Sequence, residues 1–561
     1  MRQTSTVETW KRTWSRVTLL LLLSAAPIFA ATITVTSTGD SGPGSLRAAI
    51  ASAANGDTIN FNLVYPATIV LSTPLTLGPS VTITGPGVGN LAISGADSVG
   101  VLIVNAGATA QVSGVTITQG ASGLGGCIFN SGTLTLTNTA VTNCRNFAEL
   151  GGGILNAGSV ATLNLNGSTV TANFAGACLQ AALGAGGGIF NYLGTVNLSN
   201  STVSGNITTG GPGASGSCFE GGAIGWGGGG GGIFNFFGTL LVNTSTISAN
   251  VSSFGGGIFN SYGALTLVNS TIAENGAGAT GGGIYTQSDS AVTVSFSTIW
   301  NNIANNGQGF TPIALTPPST GGGGGGGCCI FIADVYNSGG AGILYAEAAE
   351  GTPTMSVKNS ILSNYGDNCQ GQFISAGYNL SDDGTCLNSL TQTSDLNNTA
   401  AGLDPGGLKN NGGPTQTVAL LATSSAVNAI PLSSCTDASG NPVTTDQRGV
   451  RRPQGSGCDI GAFEYFHSHY MVPAVQTFLL MDAVEASTLP RIVQGVLTLP
   501  LQAAVDFMNQ GNAPVAVGQL EAFVVLVDVV RLAGGLSQQQ AAAWATSAQG
   551  IIQSLRSGSA S

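Results

Sequence analysis

The six residues Gly255 to Asn260, Gly-Gly-Gly-Ile-Phe-Asn, constrain this chain more than any other stretch, because they recur. The same text stands at Gly151 to Asn156 (Leu155 for Phe), Gly186 to Asn191 and Gly230 to Asn235, with variants at Gly125 to Asn130 and Gly281 to Thr286. A Ser-Thr-Val or Ser-Thr-Ile triplet follows each full copy and the Gly281 variant, at Ser168, Ser201, Ser245, Ser270 and Ser297, and an Asn closes each at Asn173, Asn206, Asn250, Asn275 and Asn301 or Asn302. The Ile positions 128, 154, 189, 233, 258 and 284 are separated by 26, 35, 44, 25 and 26 residues. A unit of about 25 residues with two insertions is the sequence signature of a solenoid.

Within each unit the apolar residues alternate, as in Leu134 and Leu136, Leu163 and Leu165, Val196 and Leu198, and Leu265 and Leu267. Period two means strands, and about 25 residues hold about three strands of four or five residues with their turns. Strands that recur once per coil lie parallel, about 4.8 Å apart, and stack their inward side chains. The fold expected is therefore mainly β, a right-handed parallel β-helix (solenoid) with an N-terminal cap and a small C-terminal α-helical domain. Gly supplies turns that need φ > 0, Ile points inward, and Asn recurs where stacked amides can form ladders. Phe129, Phe190, Phe234, Phe259 and Tyr285 each follow an inward Ile and so share the opposite face. They form an aromatic stripe, the one candidate ligand-binding feature of the repeat, or rings stacked on one another beneath the insertions.

Residues 1–30 read as a signal peptide: Lys11, Arg12 and Arg16, then the apolar run Val17 to Leu23, then Ala30. Its removal takes four basic residues (Arg2, Lys11, Arg12, Arg16) and one acidic (Glu8) from totals of 14 and 25, leaving 10 against 24 and a net charge of −14. That balance argues against nucleic acid or an anionic membrane surface as a partner. Ten Cys suit an oxidising compartment. Nearness in the repeat suggests pairing Cys127 with Cys144, Cys178 with Cys218, Cys369 with Cys386 and Cys435 with Cys458, leaving Cys328 and Cys329 adjacent. No CxxC or flanking His marks a zinc site, so neither metal nor cofactor is expected.

Along the chain, 31–65 form an N-terminal cap and first coil: a strand at Thr32 to Thr36, a turn, a short helix from Ser45 as N-cap, and a strand at Asp57 to Phe61. Through Ser45-Leu46-Arg47-Ala48 this stretch resembles the CSLREA family, whose members commonly run into β-helices. Residues 66–402 are the repeats. Gly221-Gly222-Ala223-Ile224 and the Ile-x-x-Asn text resemble the repeats of polymorphic outer-membrane proteins, although no run of alternating barrel strands follows residue 466. Residues 403–465 hold Asn410-Asn411-Gly412-Gly413-Pro414-Thr415-Gln416-Thr417, Asp446-Gln447-Arg448-Gly449-Val450-Arg451-Arg452-Pro453 and Cys458-Asp459-Ile460-Gly461-Ala462-Phe463-Glu464-Tyr465. This text closely resembles the choice-of-anchor Q domain of bacterial surface proteins, which ends a β-helix. A linker, 466–488, leads to a helical region, 489–561, with helix starts at Pro490, Pro500, Asn512 and Ser537. That region resembles the FIMAH domain in pattern, and its apolar run Val517 to Val530 is too short to span a bilayer.

A polysaccharide lyase needs a carboxylate cluster with a basic residue, and a glycosidase needs two facing carboxylates. Between residues 66 and 300 the acids are Asp97, Glu149, Glu220, Glu274 and Asp289, the only base is Arg145, and they fall at unrelated phases of the repeat. His467 and His469 lie in the linker, and the glycine runs Gly225 to Gly232 and Gly321 to Gly327 lack the phosphate-loop Lys. Arg448, Arg451 and Arg452 with Asp446 and Asp459 read as internal pairing in a C-terminal cap. No residue is assigned as catalytic. The function expected is a secreted or cell-surface bacterial protein without catalysis, structural or adhesive, with an extracellular glycan or surface protein as partner. The alternative is a polysaccharide lyase or glycoside hydrolase.

Overall fold

The computed structural model describes residues 30–78, 80–148, 150–176, 186–209, 229–287, 289–304, 354–465, 471–509 and 511–557, together with the backbone of 311–312, 333–334 and 343–347. Its core is a parallel β-helix in which four sheets run along the stack. Taken in the order one coil visits them, sheet I holds the Ile-Phe-Asn strands such as Ile258–Ser261, and sheet II the longer Ala264–Val268. Sheet III holds Thr271–Ala273 and sheet IV Gly276–Thr280. Sheet II is 12 strands long, sheet III 11, sheet I nine and sheet IV six, and neighbours pair in parallel register. Crossovers between parallel strands take the right hand almost without exception, because the strands themselves twist that way.

Sheet IV departs from the three-strand coil expected from the repeat. Its strands begin on the residue after each corner Asn or Cys, at Arg145–Asn146, Phe174–Gly176, Ile207–Thr209, Val251–Phe254, Gly276–Thr280 and Ile303–Ala304. They are short and share no residue type, so they carry no alternation to read.

The inward Ile of sheet I stack in register, Ile128 on Ile154, Ile189, Ile233, Ile258 and Ile284, and every one is fully buried. Burying each stabilises the coil by roughly 1.5–3 kcal/mol. Two polar ladders run beside them. In the first, the Nδ2 of Asn130 donates to Oδ1 of Asn156 (2.7 Å), and so on through Asn191, Asn235 and Asn260. In the second, Asn173 donates to Asn206, Asn206 to Asn250, Asn250 to Asn275, Asn275 to Asn302 and Asn302 to Asn364, each at 2.8–2.9 Å. Each of these last Asn also donates to a carbonyl of the preceding coil, as Asn250 does to Val203 (3.0 Å). Both ladders are buried up to the half-buried Asn364 that ends the second, so their amides replace the water that turn backbone would otherwise need.

The glycine triplet is fixed by the same geometry, and its three residues have three different reasons. Gly255 adopts φ +60, where a side chain is strained. A Cβ on Gly256 would collide with the carbonyls of Gly282 and Gly276, and one on Gly257 with the carbonyl of Gly283 (2.6 Å) while pressing on Asn275 of the ladder at 3.1 Å.

The N-terminal end is closed as the sequence suggests. Helix α1 (Leu46–Ser52) is capped by Ser45, whose Oγ accepts from the Ala48 N–H (3.2 Å), and it lays Leu46, Ala49 and Ile50 on the open end of the core. Residues 403–465 behave differently from an end cap. A hairpin, Leu403–Lys409 with Thr417–Leu420, turns the chain back, and the segment then runs along the outside of sheet III. Thr415 donates to the Thr244 carbonyl, Asn269 to that of Thr445, the Ala438 N–H to Ser295 and Lys358 to Thr436, so four successive coils are strapped from the side. Thr246, Thr271 and Thr298 are buried beneath it, whereas Thr169 and Thr202 in the uncovered coils are half-exposed. Gln447 bridges the first two of these, donating to Thr246 (2.9 Å) and accepting from Thr271 (2.6 Å).

Helices α2 (Met471–Glu485), α3 (Arg491–Asn509), α4 (Ala513–Leu532) and α5 (Gln538–Arg556) form a bundle with one apolar core, and Val450 of the strap joins it. Helix α2 lies in the span 466–488 read as a linker. It is apolar on most sides and so shows no helical stripe to find. Pro500, read as a helix start, sits inside α3. Leu497, Leu501, Ala504, Val505 and Met508 are buried around it, and that packing outweighs the roughly 3 kcal/mol a mid-helix proline costs. Helix α4, at 20 residues, is longer than the apolar run read from sequence. By length and composition it could cross a membrane, although Leu520, Phe523 and Val527 are buried in the bundle.

Removing one rung of the second ladder tests its weight. Asn250→Ala strips partners from the Asn206 N–H and Nδ2 and from the Val203 carbonyl. A loss of about 2–4 kcal/mol in chemical denaturation is expected, against none for Asn243→Ala, an exposed Asn on the adjacent sheet.

Candidate functional site

Among the described residues, two rows of aromatic side chains stand on the outer surface of sheet I. The first is the row marked by the repeat. Phe190 and Phe234 stack at 5.2 Å between centroids, Phe234 and Phe259 at 4.6 Å, and Phe259 meets Tyr285 at 4.9 Å with the rings tilted by 53°. Leu155 takes the ring's place in its coil, with Phe129 in the coil before it. Phe190, Phe259 and Tyr285 are buried, Phe129 and Phe234 are half-buried, and the backbone of Gly229 lies directly over the Phe259 ring. The structure therefore brings these five positions into one column, and much of the column is covered.

The second row was not singled out by the repeat, because only some coils carry it. Two residues further along the same strands, Tyr192 stacks on Phe236 (6.0 Å). One residue beyond, Phe237 lies flat against Tyr262 (4.6 Å, rings 6° from parallel) and meets Phe236 edge-on (4.6 Å). Tyr192, Phe237 and Tyr262 are 40, 47 and 38% exposed, and the apolar neighbours Leu193 and Leu241 are exposed as well. Leu193, Phe237 and Tyr262 all have left-handed backbone, φ +64, +53 and +53, a conformation costing a bulky residue on the order of 1–2 kcal/mol. The preceding coil fills the matching turn with Gly158, at φ +118. A signal did exist in the sequence: Tyr192, Phe236, Phe237 and Tyr262 all lie within three residues after Phe190, Phe234 or Phe259.

The charged groups fall elsewhere. Asp97 and Arg145 approach to 4.0 Å at the surface. Glu274 is held above the usual carboxylate range by burial, and Asp289 is exposed. Counting sheet III registers from Ser94 to Ala273 puts Asp97 and Glu274 six coils apart, roughly 29 Å at 4.8 Å per coil, too far to share a substrate bond. The signal-peptide span up to residue 29, Glu149, Glu220, His467, His469, Cys328, Cys329 and the run Gly321 to Gly327 lie outside the described residues. Among the described residues no group of three or more His, Cys, Asp or Glu is placed to hold a metal ion. An open cleft of about 590 Å³ lies between Trp300, Asp382, Asn398 and Leu403, but Asp382 is already engaged by Ser363 (2.5 Å) and Asn368 (2.7 Å).

Three of the expected disulfides are formed, Cys127 to Cys144, Cys369 to Cys386 and Cys435 to Cys458, with Cα atoms 5.4, 5.1 and 6.0 Å apart. Cys178 and Cys218 lie outside the described residues. These bonds suit an oxidising environment.

The charges of residues 446–464 are internal. Arg448 is fully buried, forked onto Asp446 (2.7 Å) and lying 3.5 Å over the Phe463 ring. Arg452 is bound to Glu464 (2.8 Å) and to the Asp459 and Gly461 carbonyls. Arg451 alone points out, to Glu485 of α2 (2.8 Å). Three buried carboxylates thus face two buried guanidinium groups, an excess of one negative charge. Burial pushes Glu464 up to about 7, against the pull of Arg452 and with the push of Asp459, and burial raises Asp459 as well. An acid raised in the folded state stabilises it below the unfolded value of 4.5 and loses that contribution as pH rises towards 7. Thermal unfolding should therefore show stability falling by on the order of 3 kcal/mol between pH 4.5 and 7, and Glu464→Gln should flatten that window.

No protein-family profile matches the chain, and no curated protein matches it. A search of solved structures finds a PL6-family alginate lyase, 10% identical with a TM-score of 0.27, over 69% of this chain. The chain spans about half, 55%, of that structure's length.

Proposed function

We propose that this protein is a secreted or cell-surface β-helix that serves as a structural or adhesive element, without catalysis of its own, and contacts an extracellular glycan or surface protein. The observation that carries the reading is the outer surface of sheet I, where Tyr192, Phe237 and Tyr262 stand exposed beside the column of rings, in place of polar or charged groups. Aromatic faces bind by area and stacking and contribute no proton transfer. The amide ladders and the lateral strap support the same reading, since together they make a shaft that holds a surface in fixed register. The resemblances of residues 45–48 to CSLREA segments, of 410–465 to choice-of-anchor Q domains and of the helical region to FIMAH modules fit display at a bacterial surface. The disulfides fit a chain exported to an oxidising space.

Incubating the purified protein with a panel of plant, algal and bacterial polysaccharides separates this reading from its rival. Retention of at least one polysaccharide on the immobilised protein, with no new reducing or unsaturated ends, is the expected result. Release of either kind of end would establish a lyase or hydrolase instead.

A further inference from the structure

We infer that the exposed ring cluster Tyr192, Phe236, Phe237 and Tyr262 is a binding platform for an uncharged polysaccharide, an inference that rests on the adhesive reading above. The first argument is charge. From Gly151 through Ala273 the described residues include no Asp, Glu, Lys, Arg or His; the next two described charges are both acidic, Glu274 at the corner between sheets III and IV of Tyr262's coil and the exposed Asp289 in the matching turn of the next coil. An acidic glycan would lose its hydration over the rings and meet only like charge at their border. A neutral sugar ring presents aliphatic C–H faces with hydroxyls at the edge, and flat rings in the open match the first. A polar edge is met on the next sheet at the platform's first coil, where the half-exposed Asn197 donates to Asn164 of the coil before it (2.8 Å), and at its third, where the matched position is Thr266.

The second argument is the backbone. Phe237 and Tyr262 hold left-handed φ at an exposed turn, where Gly would fit without strain and where neither ring fills the core. Strain kept at a surface position points to use of the side chain. The third is the direction of the cluster. Tyr192, Phe236 and Ser261 pair in register on three successive coils, with Phe237 and Tyr262 beside them, so the rings follow the long axis of the stack and suit a chain of sugars more than a single one.

The test uses the whole secreted chain and its binding to xylan, mannan and β-glucan, with alginate as the charged control, in affinity electrophoresis. The double variant Phe237→Ala/Tyr262→Ala should weaken binding to the neutral polysaccharide at least tenfold, and Leu432→Ala, an exposed apolar residue on the strap, should not. Phe237→Gly/Tyr262→Gly relieves the backbone while removing the rings. It should unfold no earlier than the parent and still lose binding, which separates lost contact from lost fold. Neutral binding that survives both double variants would overturn the platform and leave the adhesive reading standing. Preference for alginate would overturn the assignment of an uncharged ligand. Failure to bind any polysaccharide would overturn the platform and leave a surface protein as the partner that the adhesive reading still allows.

Discussion

The buried asparagine ladders are the interaction on which the rest of this structure depends. A β-helix must turn its chain several times per coil, and each turn takes backbone groups out of the sheets and into a dry interior. Here an amide at each of two corners donates to the next coil's amide and to a neighbouring carbonyl, so the corner is satisfied without water. The glycine triplet belongs to the same close stacking. Its second and third residues must be small because the next coil's backbone carbonyls lie against them, and at the third the ladder amide closes in as well. The ladder and the close coil-to-coil backbone approach beside it thus fix the Asn and the Gly of the repeat together, and the coil spacing then brings the Ile column into contact.

Such a stack is cohesive along its axis and relatively weak across it, since each coil touches only its neighbours. The strap of residues 403–465 offsets that weakness. By hydrogen bonding to four coils from the side it ties together units that otherwise meet only in sequence, and Gln447 joins two of them with a single amide. Its buried charges explain why so much of the chain's small ionic content is concentrated in this segment. Asp446, Arg448, Arg452 and Glu464 shape the strap from within, and only Arg451 reaches outward to the helical bundle.

The fold was legible because the repeat is nearly literal. Ile, Asn and Gly recur at positions where most other residues would leave a cavity, an unpaired carbonyl or a collision, so the text shows them plainly. Sheet IV was not legible, since its strands pair by backbone alone and accept Arg145, Phe174, Ile207 or Gly276 at matched places. Helix α2 escaped for the opposite reason: it is apolar on nearly every side, so it has no period. The lateral course of the strap could not be read from one chain, because its partners, such as Thr246 and Gln447, are 201 residues apart. For the surface, the repeat drew attention to Phe190, Phe234 and Phe259, rings that largely serve one another. Tyr192, Phe237 and Tyr262 are more exposed but belong to three coils only, and periodicity is blind to what occurs in a few copies.

The measurement that bears most directly on the ladder is hydrogen exchange of backbone amides, read by mass spectrometry, in the parent and in Asn250→Ala. If the amides bind the coils to one another, protection should fall in the flanking coils as well, across residues 202–209 and 271–280, while the strands 133–142 remain protected. Loss confined to residues 246–254, or no loss at all, would contradict the account and show that the apolar columns alone hold the stack.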